Sequence, residues 1–338
     1  MDNTPSVVIR RARLDDEPHI REFTKHTFDF GDYVGDAFAS WLRSGCDVWV
    51  AETNSTPIGV TCIEYPAPGE AWFQGMRVHP GYRRQGTATI LTEACIAGAR
   101  KRGARIARAA IDSYNYRSTG LVTSVGFSQV AEIVEFDAFP NLLLPYQSGL
   151  VVARLEPRHA AKAWELARED VHYIGTCYGE WISLSPDNLR LIAERETMLV
   201  ALTASGIIVA GALLGDCYED EHNENGKPAL EQEITSFFGS TKGIRSLIHH
   251  AATALSREAA NREVIWCRLR PSVEAQGHAL EKVRQIARQE AARLEEACLK
   301  AASQEATLKT ARLEAEGKRE GPPIVETGDV MLLWEYGL

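Results

Sequence analysis

Between Ala71 and Lys101 the chain changes its periodicity once, and that change limits the possible folds more than any other feature. Ala71–Val78 reads as a strand and His79–Gly86 as a basic loop. Thr87–Lys101 reads as a helix, because Ile90, Leu91, Ala94, Cys95, Ala97 and Gly98 fall at helical spacing. Arg100-Lys101-Arg102 followed by Gly103 supplies a basic last turn and a C-cap. The first N–H groups of such a helix lack internal partners and sit at the positive end of its dipole. Arg77, Arg83 and Arg84 add positive charge around that end. Gly86 and Ala88 lack bulk, so a phosphate can approach the main chain there.

The rest of the first half frames this segment. Val7–Ala12 is strand-like, Asp15 caps a helix running to about Phe28, and Asp36–Leu42 is a second helix. Asp47–Glu52 and Ile58–Tyr65 read as paired strands, Arg105–Ile111 as a strand, Tyr116–Val125 as a helix and Phe127–Phe136 as a strand. Hairpins come first and β-α-β units later. That order predicts an α+β fold with a mixed, mostly antiparallel sheet flanked by helices. Phe139–Gly149, with Pro140 and Pro145, reads as a linker. After it the same order recurs: strands over 150–155, 197–204, 207–214, 234–238 and 264–269, with helices over 158–168, 187–193 and 244–259. The expected domains are therefore 1–146 and 147–338. Gly215–Ala229 is acidic and reads as a solvated loop. Residues 272–317 lack proline and carry a helical stripe of Leu280, Val283, Ala287, Ala291 and Leu294. They predict one long helical insertion, either packed on its own domain or serving as the arm of a homodimer. Val330–Trp334 then returns as a final strand.

Composition excludes several function classes. No apolar run approaches the roughly 18 residues of a membrane span, and the first residues lack the basic and apolar regions of a signal peptide. A cytoplasmic protein without membrane contact is expected. The net charge is −9, with 15 basic against 17 acidic residues over 1–150 and 22 against 29 over 151–338. Nucleic-acid binding, which favours a strongly basic domain, is not expected. Seven cysteines lie at 46, 62, 95, 177, 217, 267 and 298, none at CxxC spacing, which predicts neither a metal site nor a disulfide framework. His249 and His250 are helical neighbours that face different directions, so they too predict no metal.

Arg83-x-x-Gly86-x-Ala88, following Val78-x-Pro80, resembles the pyrophosphate loop of the GNAT superfamily of N-acetyltransferases. Asn115-x-x-Ser118 and Val125-Gly126-Phe127 resemble that family's downstream segment. The resemblance covers about residues 7–137. The second half looks like a degenerate copy without the loop, a tandem arrangement loosely similar to animal histidine N-acetyltransferases. The resemblance implies acetyl-CoA as co-substrate. It implies that the backbone of Met76 and Val78 pairs with pantetheine. Main-chain amides over Arg83, Arg84, Gly86, Thr87 and Ala88 would hold the pyrophosphate, and Asn115 and Ser118 would face the pantetheine arm. The implied activity is acetyl transfer to a primary amine. A second domain that narrows access favours a small acceptor such as an amino acid.

Two positions depart from the family pattern. Gln74 stands where many members carry a glutamate, and glutamine cannot accept a proton. Val122 stands where many carry a tyrosine that protonates the departing thiolate. Glu64 and Tyr116, with Tyr114 beside it, are the nearby candidates for these catalytic roles. The alternative is an acyl-CoA-binding regulatory or scaffold protein without turnover.

Overall fold

The computed structural model describes residues 7–27, 31–140, 142–176, 179–220, 229–258, 264–270, 272–273, 278–304 and 323–338. The first elements are β1 (Val8–Arg11), α1 (Glu17–Thr24), α2 (Val34–Arg43), β2 (Asp47–Thr53) and β3 (Thr56–Glu64). β4 (Glu70–Val78), α3 (Thr87–Lys101), β5 (Ile106–Asp112), α4 (Tyr116–Ser124) and β6 (Ser128–Ala138) follow. The chain continues with β7 (Val151–Arg154), α5 (Ala160–Ala167), β8 (Tyr173–Gly175), β9 (Trp181–Ser183), α6 (Pro186–Arg195), β10 (Thr197–Leu202) and β11 (Ile208–Asp220). It ends with β12 (Ala229–Gly239), α7 (Thr241–Glu258), β13 (Val264–Arg270), β14 (Ser272–Val273), α8 (Ala279–Gln304) and β15 (Ile324–Gly337). These elements form two compact units, Met1–Val130 with Leu332–Leu338, and Ala131–Met331.

In the first unit the strands run in the order β1, β2, β3, β4, β5 and the end of β15. β1 to β4 pair antiparallel, and β4 pairs with β5 in parallel. Side chains alternate across the sheet, so each strand feeds two cores. Val48, Val50, Val60 and Cys62 point to one face and meet Ile20, Val34, Phe38 and Trp41 of α1 and α2. Ile63, Ala71 and Ala107 point to the other and meet Cys95, Ile96 and Ala99 of α3.

The last residues of the chain complete this second core. Trp334 is buried there, with Leu332, Tyr336 and Leu338 packed around it. The Leu338 N–H donates to the Arg105 carbonyl at 2.7 Å. Arg108, only 2% exposed, binds both Glu70 and Glu335, the latter at 2.6 Å. The position beside β5 is therefore filled from the far end of the sequence.

The second unit repeats the pattern. β7, β10, β11 and β12 are antiparallel neighbours, and β12 pairs with β13 in parallel. The strand beside β13 is β6, so β6 and β15 exchange the places that self-contained domains would give them. The observed division therefore falls at Ala131, before the 146/147 division read from the sequence, and Leu332–Leu338 return to the first unit.

Three segments differ from expectation. Residues 215–220, read as a loop, extend β11, because Cys217–Asp220 pair with Ala229–Gln232. The pair β8–β9 within 173–183 leaves no sequence signal, because its strands are only three residues each, too short to show a period. The expected helix over 272–317 begins only at Ala279, since Ser272 and Val273 pair with Ile133 and Glu132 of β6. Its part beyond 304 lies outside the described residues.

Helix α8 docks within its own unit through the buried Leu280, Val283 and Ile286. Glu290, 1% exposed, accepts hydrogen bonds from Arg245, from His249 Nε2 at 2.9 Å and from Arg293 at 2.8 Å. Burial pushes the Glu290 carboxyl up, but His249 and Arg245 outweigh it and hold it below the usual range. His249 thus braces α7 against α8.

Candidate functional site

The site grows from a defect in β4. Val60 pairs with Arg77 but Cys62 pairs with Gln74, so β4 carries one extra residue opposite Thr61. Gly75 takes up the bulge at φ +66. A Cβ on Gly75 would lie 2.5 Å from Trp41 Cη2, so only glycine fits against that ring. The parallel pairing with β5 covers only Glu70, Ala71 and Trp72. Beyond Trp72 the strands part, and β4 keeps β3 on one side while its other edge is released from β5.

The bend is fastened from the opposite side. Arg77 forms a two-pronged ion pair with Asp32, at 2.6 and 3.1 Å, and the Asp32 side chain is fully buried. Asp32 also accepts the Val34 N–H at 3.1 Å, which ties the start of α2 to β4. Breaking a buried pair strands a charge, so Asp32→Ala is expected to cost about 3 kcal/mol of stability. Urea unfolding checks this; a loss under about 1 kcal/mol would show that the pair does not hold α2.

The loop after β4 ends at an open helix start. Arg84 (φ +62) and Gly86 (φ +82) are both left-handed, and nothing lies within 4 Å of a Cβ built on Gly86. Gly86 is the N-cap of α3 and supplies no side-chain cap. The first helical bond runs from the Ile90 N–H to the Gly86 carbonyl at 3.0 Å. The N–H groups of Thr87, Ala88 and Thr89 therefore precede the first bonded donor of the helix. Thr87 is buried and its hydroxyl donates to the Tyr82 carbonyl, whereas Arg83, Arg84 and Gly86 are exposed. A left-handed residue beside right-handed ones, as Gly86 stands at the start of α3, can turn successive backbone N–H groups toward one concavity, an arrangement suited to an anion.

The other sequence-predicted residues lie on β4, β3 and α4. The Met76 carbonyl accepts from Arg77 at 3.0 Å, and the Val78 carbonyl accepts from Arg83 Nε at 3.0 Å. Asn115 caps α4 by accepting the Ser118 N–H at 3.2 Å, and both residues are half-buried. Val122 is buried in the core beneath α4. Tyr116, in the first turn of α4, is 80% exposed.

Glu64 ends β3 on the face that carries Gln74, one diagonal step away in the register. The Cys46 thiol donates to the Glu64 carboxylate at 3.6 Å. A hydrogen bond with Cys62, helped by Ser44 and Glu64 and opposed by burial, brings the Cys46 thiol down to about 6. The same bond, together with burial, pushes Cys62 up. The Asp32–Arg77 fastening and the meeting of Cys46 with Cys62 carry no signal at sequence level, since both depend on long-range register.

Comparison with known proteins accords with this geometry. A model described as the Acetyltransferase (GNAT) family matches residues 12–127. That segment is thus a GNAT acetyltransferase domain, of the class that carries out acyl-CoA-dependent N-acetylation. No curated protein sequence matches the chain.

Among solved structures, a tandem GNAT protein from the clavulanic acid biosynthesis pathway is 11% identical at TM-score 0.55, with 98% of each chain covered. A GCN5-related N-acetyltransferase from Sphaerobacter thermophilus is 14% identical at TM-score 0.53, covering 98% of this chain and 95% of the other. The glucosamine N-acetyltransferase region of a fungal multi-domain beta-N-acetylglucosaminidase is 11% identical at TM-score 0.57, covering 83% of this chain and 37% of the other. At these identities the likeness is one of fold.

Proposed function

We propose that the first unit transfers an acetyl group from acetyl-CoA to the primary amine of a small molecule, such as an amino acid. The observation that carries this reading is the uncapped start of α3, with left-handed Arg84 and Gly86, beside the released edge of β4. These residues fit the coenzyme. Amides over Arg83 to Ala88 would hold the pyrophosphate, and Arg83 and Arg84 would neutralise its charge. The main chain of Met76 and Val78 would take the pantetheine arm, with Asn115 and Ser118 facing it. Bound acetyl-CoA supplies an activated thioester.

The chain's own groups then manage position and protons. The bulge at Gly75 would leave a β4 main-chain N–H to polarise the acyl carbonyl. As the nitrogen–carbon bond forms and the carbon–sulfur bond breaks, the amine gives up one proton and the sulfur gains one. Glu64 takes the first and Tyr116 supplies the second. Among the described residues, the second unit offers no comparable cradle. Helix α7 begins two residues after β12 ends, and the Ser240 hydroxyl caps it by accepting the Gly243 N–H at 3.2 Å.

A second reading, coenzyme binding without turnover, is favoured by one observation. The two usual proton-handling positions hold Gln74 and the buried Val122. Free CoA release from acetyl-CoA across a panel of amino acids, polyamines and aminosugars separates the two. Release with one amine class, reduced at least ~100-fold in Glu64→Gln, supports transfer. Coenzyme binding with no release across the panel supports the second reading.

A further inference from the structure

The three groups that meet at the open end of the β2–β3 hairpin have a geometry that the transfer reaction does not require. Asp47 pairs with Ile63, so Cys46 stands across from Glu64, and Cys62 lies one diagonal step along the same face. The two sulfurs and a Glu64 oxygen all lie within 4.8 Å of one another. Cys46 Sγ is 3.6 Å from Glu64 Oε1. A tetrahedral ion with bonds of about 2.3 Å to sulfur and about 2.0 Å to oxygen sets a sulfur–oxygen edge of about 3.5 Å. The observed separation already matches that edge.

The frame is rigid. Helix α2 stops at Arg43, Gly45 reverses the chain at φ +80, and the Cys46 N–H returns to the Trp41 carbonyl at 3.2 Å. Cys62 is fully buried in the ladder, whereas Cys46 and Glu64 are half-buried and leave an entry from solvent. The Ser44 hydroxyl, 3.1 Å from Cys46 Sγ, is positioned to hydrogen-bond a metal-bound thiolate. Arg11 and Arg102 lie beyond the sheet, where they bind Asp47 on the opposite face.

We infer that Cys46, Cys62 and Glu64 form a binding site for a thiophilic divalent cation of the zinc class, with the fourth position open to water. The donor set of two thiolates and one carboxylate suits zinc and its spectroscopic substitute cobalt and disfavours magnesium or calcium. Binding releases the thiol protons, so affinity rises with pH. A ligated carboxylate is a poor base. Zinc is therefore expected to inhibit amine acetylation, a consequence that rests on the role proposed for Glu64, whereas binding itself does not.

The test is a cobalt titration of the reduced full-length protein without oxygen, followed by thiolate-to-cobalt charge-transfer absorption. One equivalent is expected to saturate the band, and zinc to abolish it. Cys46→Ser and Cys62→Ala are each expected to weaken binding at least ~100-fold, beyond the effect of losing a mere supporting group. Cys217→Ser, at an exposed thiol in the second unit, is expected to leave the band intact. Circular dichroism verifies folding, and the half-buried Cys46 position carries the test alone where Cys62→Ala does not fold. No band at excess cobalt, a band that survives Cys46→Ser, or one lost in Cys217→Ser would each overturn the site. None of these outcomes depends on acetyl-CoA turnover.

Discussion

Ending the chain at Met331 is expected to unfold the first unit and abolish coenzyme binding, although the residues proposed to hold the coenzyme lie more than two hundred positions earlier. The lost segment contributes Leu333, fully buried, and Trp334, 9% exposed. Removing a large buried apolar side chain costs about 3–5 kcal/mol. Two such losses approach the roughly 5–15 kcal/mol that holds a whole domain. The truncation also strips Arg108 of Glu335 in a site where the guanidinium is 2% exposed. It further bares the edge of β5, whose main-chain groups then lose their strand partner. Thermal unfolding and calorimetric titration with acetyl-CoA measure both effects. A truncated chain that keeps its melting temperature and its affinity would show that β15 is dispensable to the first unit. Glu335→Gln tests the ion pair alone and is expected to cost about 1–3 kcal/mol.

The contrast between that strand and α3 explains what could be read from the sequence. Helix α3 begins at Thr87 and ends at Lys101, as its periodicity and the flanking Gly86 and Gly103 indicate. Such signals are local: a period of 3.6, a residue without Cβ, a cluster of like charge. The loop that ends at Gly86 and the helix start after it are legible for the same reason. Alternation over Val330–Trp334 reveals a strand, but it says nothing of which sheet receives it. The destination of β15 depends on Arg108 and β5, far away in sequence, and so does the exchange with β6. The cysteines show the limit most clearly. Spacing along the chain argues against a metal site, because Cys46 and Cys62 are sixteen positions apart. A hairpin register that sets Cys46 against Glu64 brings them together. Asp32 was invisible in the same way, since its partner Arg77 reaches it only after the bulge at Gly75 has bent β4.

Gly86→Glu is expected to lower acetyl-CoA affinity on the order of 100-fold while leaving the fold intact. No atom lies within 4 Å of a Cβ at this position, so the side chain meets no clash. The φ of +82 costs about 1 kcal/mol for a residue with a Cβ, too little to unfold a domain. The introduced carboxylate stands at the N-cap of α3, among the N–H groups that would hold the pyrophosphate. Like charges roughly 5 Å apart repel by about 3 kcal/mol at an effective dielectric of 20, which is about a hundredfold in affinity. The same carboxylate favours the helix dipole and can cap free N–H groups, so stability falls by less than the backbone strain alone would suggest. Gly86→Ala separates the two contributions: it carries the strain without the charge and should lose no more than about tenfold. Calorimetric titration of both variants, with thermal unfolding alongside, decides the matter. Equal losses in the two would assign the effect to backbone geometry rather than to an anion site. Unchanged binding in Gly86→Glu would mean that the diphosphate does not sit on α3.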